Sequence, residues 1–74
     1  MRRKSLAMRI GTAVRKRRVA LGIHQDVAAA GLGVHVTQYQ AIENGATSIT
    51  VGTLQRLCVV LKMQMWELMR EAER

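Results

Sequence analysis

The sequence predicts an all-α domain of five helices, and three observations carry that expectation. Apolar residues recur at intervals of three and four and almost nowhere alternate, which is the pattern of amphipathic helices. Proline is absent, so the six glycines supply the punctuation. A chain of 74 residues has the length of one domain, and at that size it buries only roughly 60% of the surface its unfolded state exposes. The expected division is a basic arm over residues 1–5 and a single domain over residues 6–74.

The first helix runs from about Leu6 to Leu21. Leu6, Ile10, Ala13, Val14 and Leu21 fall on one stripe, with Arg9, Arg15 and Lys16 on the other side. Gly22 then stands as a natural C′ residue. A short, alanine-rich second helix extends from Gln25 to Leu32 and is broken by Gly33. The third covers Val36 to Asn44 and is stopped by Gly45. Thr50 or Thr53 caps a fourth helix in which Val51, Leu54, Leu57, Cys58 and Leu61 share a face. Met65, Leu68, Met69 and Ala72 form the same kind of stripe on a fifth.

The stretch from Gly22 to Gly45 therefore reads as two short helices joined by a glycine turn, the outline of a DNA-reading helix-turn-helix unit. At 100° per residue, Val36, Thr37, Gln40, Ala41 and Asn44 lie within an arc of roughly 140°, and Tyr39 and Ile42 point the opposite way. Tyr39 and Ile42 are the expected anchors. The open arc is small or amide-bearing, which suits entry into a groove about 12 Å wide. Glutamine pairs bidentately with adenine, and Val36, Ala41 and the Thr37 methyl suit a thymine methyl. By itself the same pattern also fits a solvated amphipathic helix.

Twelve Lys and Arg against five Asp and Glu leave a formal charge of +7. That favours a polyanionic partner, with double-stranded DNA first and an anionic membrane surface well behind. Arg2, Arg3, Lys4, Arg9, Arg15, Lys16, Arg17 and Arg18 all precede residue 19, so the charge concentrates in the N-terminal third. No stretch approaches the roughly 20 apolar residues of a membrane span, and no apolar leader precedes a cleavage site. A lone Cys58 makes no internal disulfide. These features lead to an expected cytoplasmic protein without a membrane partner. Asp26, Glu43, Glu67, Glu71 and Glu73 include no convincing catalytic pair, and neither histidine has a nucleophile beside it, so no catalytic residues and no enzyme are expected. His24, His35 and Cys58 lack zinc-ligand spacing, so neither a metal site nor a cofactor is expected.

The joint spacing closely resembles the Xre family of phage-repressor and Cro-like helix-turn-helix regulators. The matching residues are Ile10-Gly11, Val14-Arg15 and Arg18; Gly22-Ile23, Gln25, Ala29 and Leu32-Gly33-Val34; Ile42-Glu43-Asn44-Gly45; and Thr53-Leu54, Leu57, Leu61 and Glu67-Leu68. The resemblance covers roughly Ile10 to Leu68. It implies a five-helix, lambda-repressor-like domain that binds operator DNA, usually as a two-fold dimer.

Carried over by position, the resemblance implies that Gln25 meets a DNA phosphate and buttresses the reading helix. Val36, Thr37, Gln40 and Ala41 then read bases, with Gln38 at the edge of the site. Asn44 and the backbone after Gly45 clamp a phosphate, and Arg18 pairs with Glu43 to tie the first helix to the third. The chain departs from the family at His24 and His35, where relatives usually cap with serine or threonine, and at Ala28, where leucine is common. The loop from Ala46 to Ile49 lacks the usual cations. Phosphate binding is thereby expected to rest on Arg2, Arg3, Lys4, Arg9, Arg15, Lys16 and Arg17.

Val59, Val60 and Trp66 fall off the core stripes. Together with Met65 and Met69 they make the expected homodimer surface on helices four and five, the alternative being that Trp66 only lids the edge of the core. The functional expectation is a sequence-specific transcriptional regulator, with restriction-modification controller proteins as one variant. An antitoxin that binds a toxin protein and represses its own operon is the alternative from another class. A charge-only binder is a third.

Overall fold

Each helix begins and ends where local chemistry closes it. The computed structural model describes residues 4–74; Arg2 and Arg3 of the predicted arm lie outside them. Five helices follow in order: α1 (Leu6–Ala20), α2 (Gln25–Leu32), α3 (Val36–Glu43), α4 (Val51–Val60) and α5 (Met65–Glu73). Among the described residues there is no strand. Ser5 opens α1, its hydroxyl accepting the Met8 N–H, and Thr50 rather than Thr53 opens α4 by accepting the Thr53 N–H. The expected weakness at His35 is corrected by the geometry. Its Nδ1 accepts the Thr37 N–H at 3.1 Å, while the Gln38 side chain accepts the His35 N–H at 3.0 Å. An imidazole and an amide thus do for α3 what a hydroxyl and a carboxylate do elsewhere. His24 makes no such bond to α2.

The helix ends share one device. The amides of Ile23, Val34, Ala46 and Met63 reach back to the carbonyls of Arg18, Ala29, Ala41 and Cys58, a left-handed closing turn that satisfies otherwise orphaned carbonyls. Glycine supplies the left-handed residue in the first three turns, and Lys62, with φ 54°, supplies it after α4.

α1 lies between α5 on one flank and α3 on the other, α2 packs on α3 and α4, and α4 also touches α5. The fully buried side chains Val14, Leu32, Tyr39, Leu57, Leu61 and Leu68 come from all five elements or their closing turns. The predicted α1 stripe holds at Ile10, Ala13 and Val14 but not at its ends. Leu6 is 44% exposed, because the first turn projects beyond its neighbours, and Leu21 is only half-buried. Ala28 and Ala29 are buried without the bulk of a leucine, and Gly31 on the same short helix lets the methyls of Val60 approach.

The tightest packing is where α1 crosses α3. A Cβ on Gly11 would stand 2.4 Å from the Glu43 carbonyl oxygen and 2.5 Å from that of Ile42, both rigid backbone. Gly11→Ala must force the two helices apart and should cost ~1–3 kcal/mol, as overpacking does. Gly52, whose Cβ would meet open space, is the control. Gly52→Ala should be neutral or stabilising by up to about 1 kcal/mol. Thermal denaturation followed by circular dichroism checks both, and a silent Gly11→Ala would contradict the close crossing.

Candidate nucleic-acid interface

α3 is held by its apolar side and shows its polar side to solvent. Tyr39 and Ile42 are buried, as the arc requires, whereas Thr37, Gln38, Gln40 and Asn44 are exposed. Val36 and Ala41 are half-buried, which leaves each only part of its surface for a ligand. Val36 sits with Arg15, His24, Gln25 and Asp26 around a shallow polar depression between α1 and the start of α2. Gln38 and Ala41 face the other way, toward the loop at Thr47–Thr50. Asn44 closes α3 as its C-cap.

Behind this face stands a chain of polar contacts that joins three helices. Arg18 donates from Nε to Glu43 Oε2 at 2.6 Å and from Nη2 to Oε1 at 3.3 Å, and its Nη1 reaches the Ile23 carbonyl at 2.8 Å. This is a buried pair, with side chains 11% and 1% exposed. Gln25 Nε2 donates to Glu43 Oε1 at 3.0 Å, and Gln25 Oε1 accepts from Gln40 Nε2 at 3.2 Å. Gln25 thus bridges the buried carboxylate and Gln40. Burial works against the Glu43 charge, but the hydrogen bond from Arg18, the adjoining Tyr39 hydroxyl, the Gln25 amide and the Arg18 charge together hold its carboxyl below the usual range. The bond to Glu43 outweighs desolvation at Arg18 and raises its guanidinium further.

The cations do not form the single basic face expected from the sequence. Arg15 borders the depression at the α2 N-terminus. Arg17 instead donates to the carbonyls of Leu61 and Lys62, both at 3.0 Å, where it satisfies the end of α4 and its partial negative charge. Arg9 binds the carbonyls of Lys4 and Ala72, and Lys4 and Lys16 line a groove against α5. The helical period puts these residues on the α5 flank of α1, away from the side shared with α2. Of the described candidates only Arg15 keeps company with the reading unit.

The predicted dimer surface divides in a similar way. Val59 and Trp66 are 78% and 63% exposed. Val60, Met65 and Met69 are instead half-buried and packed against the core. Burial raises the Cys58 thiol above its ordinary range, which leaves it an inert core residue. Among the described residues no group of three His, Cys, Asp or Glu side chains converges on a metal-sized point, and no helix is long and apolar enough to cross a membrane.

A short helix with an exposed amide-bearing face, set by a second short helix across a glycine turn, defines the DNA-binding helix-turn-helix class. The chain belongs to the Cro/C1-like (Xre) helix-turn-helix family, whose model matches residues 14–65, and is a DNA-binding transcriptional regulator. No curated protein matches it. Among solved structures it is similar to the clp gene regulator ClgR of Corynebacterium glutamicum, with a TM-score of 0.93 at 21% identity over 96% of this chain and 92% of that one. It is also similar to the restriction-modification controller protein C.AhdI of Aeromonas hydrophila, with a TM-score of 0.80 at 22% identity over 84% and 94% of the two chains. These likenesses concern the fold.

Sequence reasoning missed three functional contacts: the Gln25–Gln40 bond, the His35 cap and the diversion of Arg17. Only the last left a trace, since a basic residue near a helix C-terminus is a recurrent cap.

Losing one partner of a buried ion pair strands the other charge. Glu43→Ala should therefore cost ~3–5 kcal/mol, and the double change Arg18→Met with Glu43→Leu should recover much of it. The pH dependence has a definite sign. A carboxyl whose folded pKa lies below its unfolded value contributes stability fully above the unfolded pKa, and that contribution is lost as pH falls through the lower, folded pKa. Glu43→Gln should be less stable at neutral pH and show a shallower acid limb. Chemical denaturation across pH 2–7 checks this, and parallel curves would contradict it.

Proposed function

We propose that the chain is a sequence-specific regulator that binds operator DNA as a homodimer, laying the exposed face of α3 in the major groove. The observation that carries the reading is the Gln25–Gln40 contact. It orients a long, exposed amide on the outer face of α3 from a second amide, itself anchored on a buried ion pair. A side chain held from behind before its ligand arrives gives up less rotamer entropy on binding. Thr37 and Gln40 are the central base readers, with Val36, Gln38 and Ala41 flanking. Gln25, Asn44 and Arg15 serve the phosphates on either side.

α5 supports the homodimer part of this reading. Trp66 stands exposed on a helix that also carries Glu67, Arg70 and Glu71 and is closed by Arg74. Acidic and basic residues alternating on one helix are self-complementary across a two-fold axis, and an exposed tryptophan is the kind of anchor such interfaces use. Val59 adds apolar area on α4.

Two measurements test the reading. On a site selected from random duplex DNA, Gln40→Ala should cost ~1–3 kcal/mol and relax the preference at one base position per half-site, whereas Gln25→Ala should weaken all sequences by similar factors. If base preferences survive Gln40→Ala intact, α3 does not read DNA in this way. Sedimentation equilibrium addresses the dimer. Trp66→Ala should shift the mass toward monomer with helicity retained, and equal masses for the two proteins would remove Trp66 from the interface.

A further inference from the structure

His35 has a donor left over once it has capped α3. Its Nδ1 accepts the Thr37 N–H at 3.1 Å, and a ring nitrogen that accepts a hydrogen bond carries no hydrogen of its own. The ring hydrogen therefore sits on Nε2, which becomes a donor. The two nitrogens lie on opposite sides of the imidazole, so with Nδ1 turned into the helix end, Nε2–H faces away from it. The side chain is exposed, and Nε2 makes no hydrogen bond among the described residues.

An exposed donor is ordinary, but this one is held in place. The Gln38 side chain accepts the His35 N–H at 3.0 Å, so backbone and ring are each fixed to the first turn of α3. His24, at the same position before α2, makes no cap bond, and its ring is not held in this way. His35 also stands next to Val36 and two residues before Thr37, at the end of a reading helix that meets base edges in helix-turn-helix complexes. A serine there would end at the oxygen that caps. The imidazole caps with one nitrogen and presents its donor a ring's width farther out. In the major groove a lone donor is best met by guanine, whose N7 and O6 are both acceptors, whereas adenine sets an amino donor beside its N7.

Resting on the DNA-binding reading above, we infer that His35 is a specificity-determining residue whose Nε2–H donates to N7 of a guanine beside the bases met by Thr37 and Gln40. The cap sets the tautomer and direction of the ring, and the outward nitrogen reads the base. One side chain thus starts the reading helix and extends its readout by one position.

Substitution can separate capping from reading. His35→Ser keeps an oxygen for the Thr37 N–H and removes the outer donor, so it should melt at the wild-type temperature, whereas His35→Ala should melt lower. On the duplex that wild type selects from random DNA, His35→Ser should bind about fivefold more weakly. It should lose the guanine preference at one position per half-site and keep the others. Replacing that guanine with 7-deazaguanine, which lacks the N7 acceptor, should cost wild type the same factor and His35→Ser nothing. His24→Ser should leave the guanine preference unchanged. An unchanged guanine preference in His35→Ser overturns the inference, as does an equal cost of 7-deazaguanine to both proteins. Uniform weakening on all sequences also overturns it, because the donor then meets a phosphate. If His35→Ser melts lower, the comparison of guanine with 7-deazaguanine within each protein still decides, since a weakened fold affects both duplexes alike. Failure of wild type to select any duplex would overturn the DNA-binding reading and this role with it. Selection of half-sites with no fixed guanine overturns the role of His35 alone.

Discussion

The pairing of Arg18 with Glu43 is the contact on which the reading unit depends. Arg18 sits in the last turn of α1 and Glu43 in the last turn of α3, and the same guanidinium also holds the Ile23 carbonyl in the turn leading to α2. One side chain therefore fixes the relative positions of three helices. A buried ion pair is weak evidence for net stability, since desolvation offsets much of its attraction. Its effect here is geometric. Both charges require matching donors and acceptors, and few arrangements of α1, α2 and α3 supply them.

The rest of the site extends outward from that pair. Gln25 bonds the carboxylate, Gln40 bonds Gln25, and Gln40 stands on the exposed side of α3. Information about the placement of α1 is thus carried to the surface through two amides, over contacts of ordinary hydrogen-bond length. Small residues make the arrangement possible. Gly11 lets α1 rest on the last carbonyls of α3, and Gly45 lets the turn after α3 rest on the backbone of Met8. Side chains at either position would push the pair apart.

Charge is distributed less simply than its sum implies. Cations at Lys4, Arg9, Lys16 and Arg17 are drawn to α5 and to the carbonyl ends of neighbouring helices. Several basic residues in this 74-residue chain thereby serve as caps and spacers in place of a larger core. The face around α3 is left with amides, hydroxyls and Arg15, a composition suited to discriminating base edges more than to attracting any polyanion.

By itself the sequence determined the helices, their order and the outward face of α3, because these follow from local periods and turn chemistry. The 3.6-residue repeat placed Tyr39 and Ile42 inward and Thr37 and Gln40 outward, and Gly22, Gly33 and Gly45 marked three helix ends. The end of α4 carried no such mark, since Lys62 adopts the left-handed turn and Arg17, 44 residues earlier, satisfies the carbonyls. That contact shows where legibility stops. Whether a basic residue faces DNA, a helix end or solvent depends on what lies within reach of a long, flexible stem, and only packing sets that. The same holds for Leu6, left exposed where α1 outruns its neighbours, and for Val60, drawn inward by the absent side chain of Gly31. The Gln25–Gln40 and Gln25–Glu43 bonds belong to this second kind. They are properties of atoms brought together by the crossing of α1, α2 and α3, and no period in the chain encodes them.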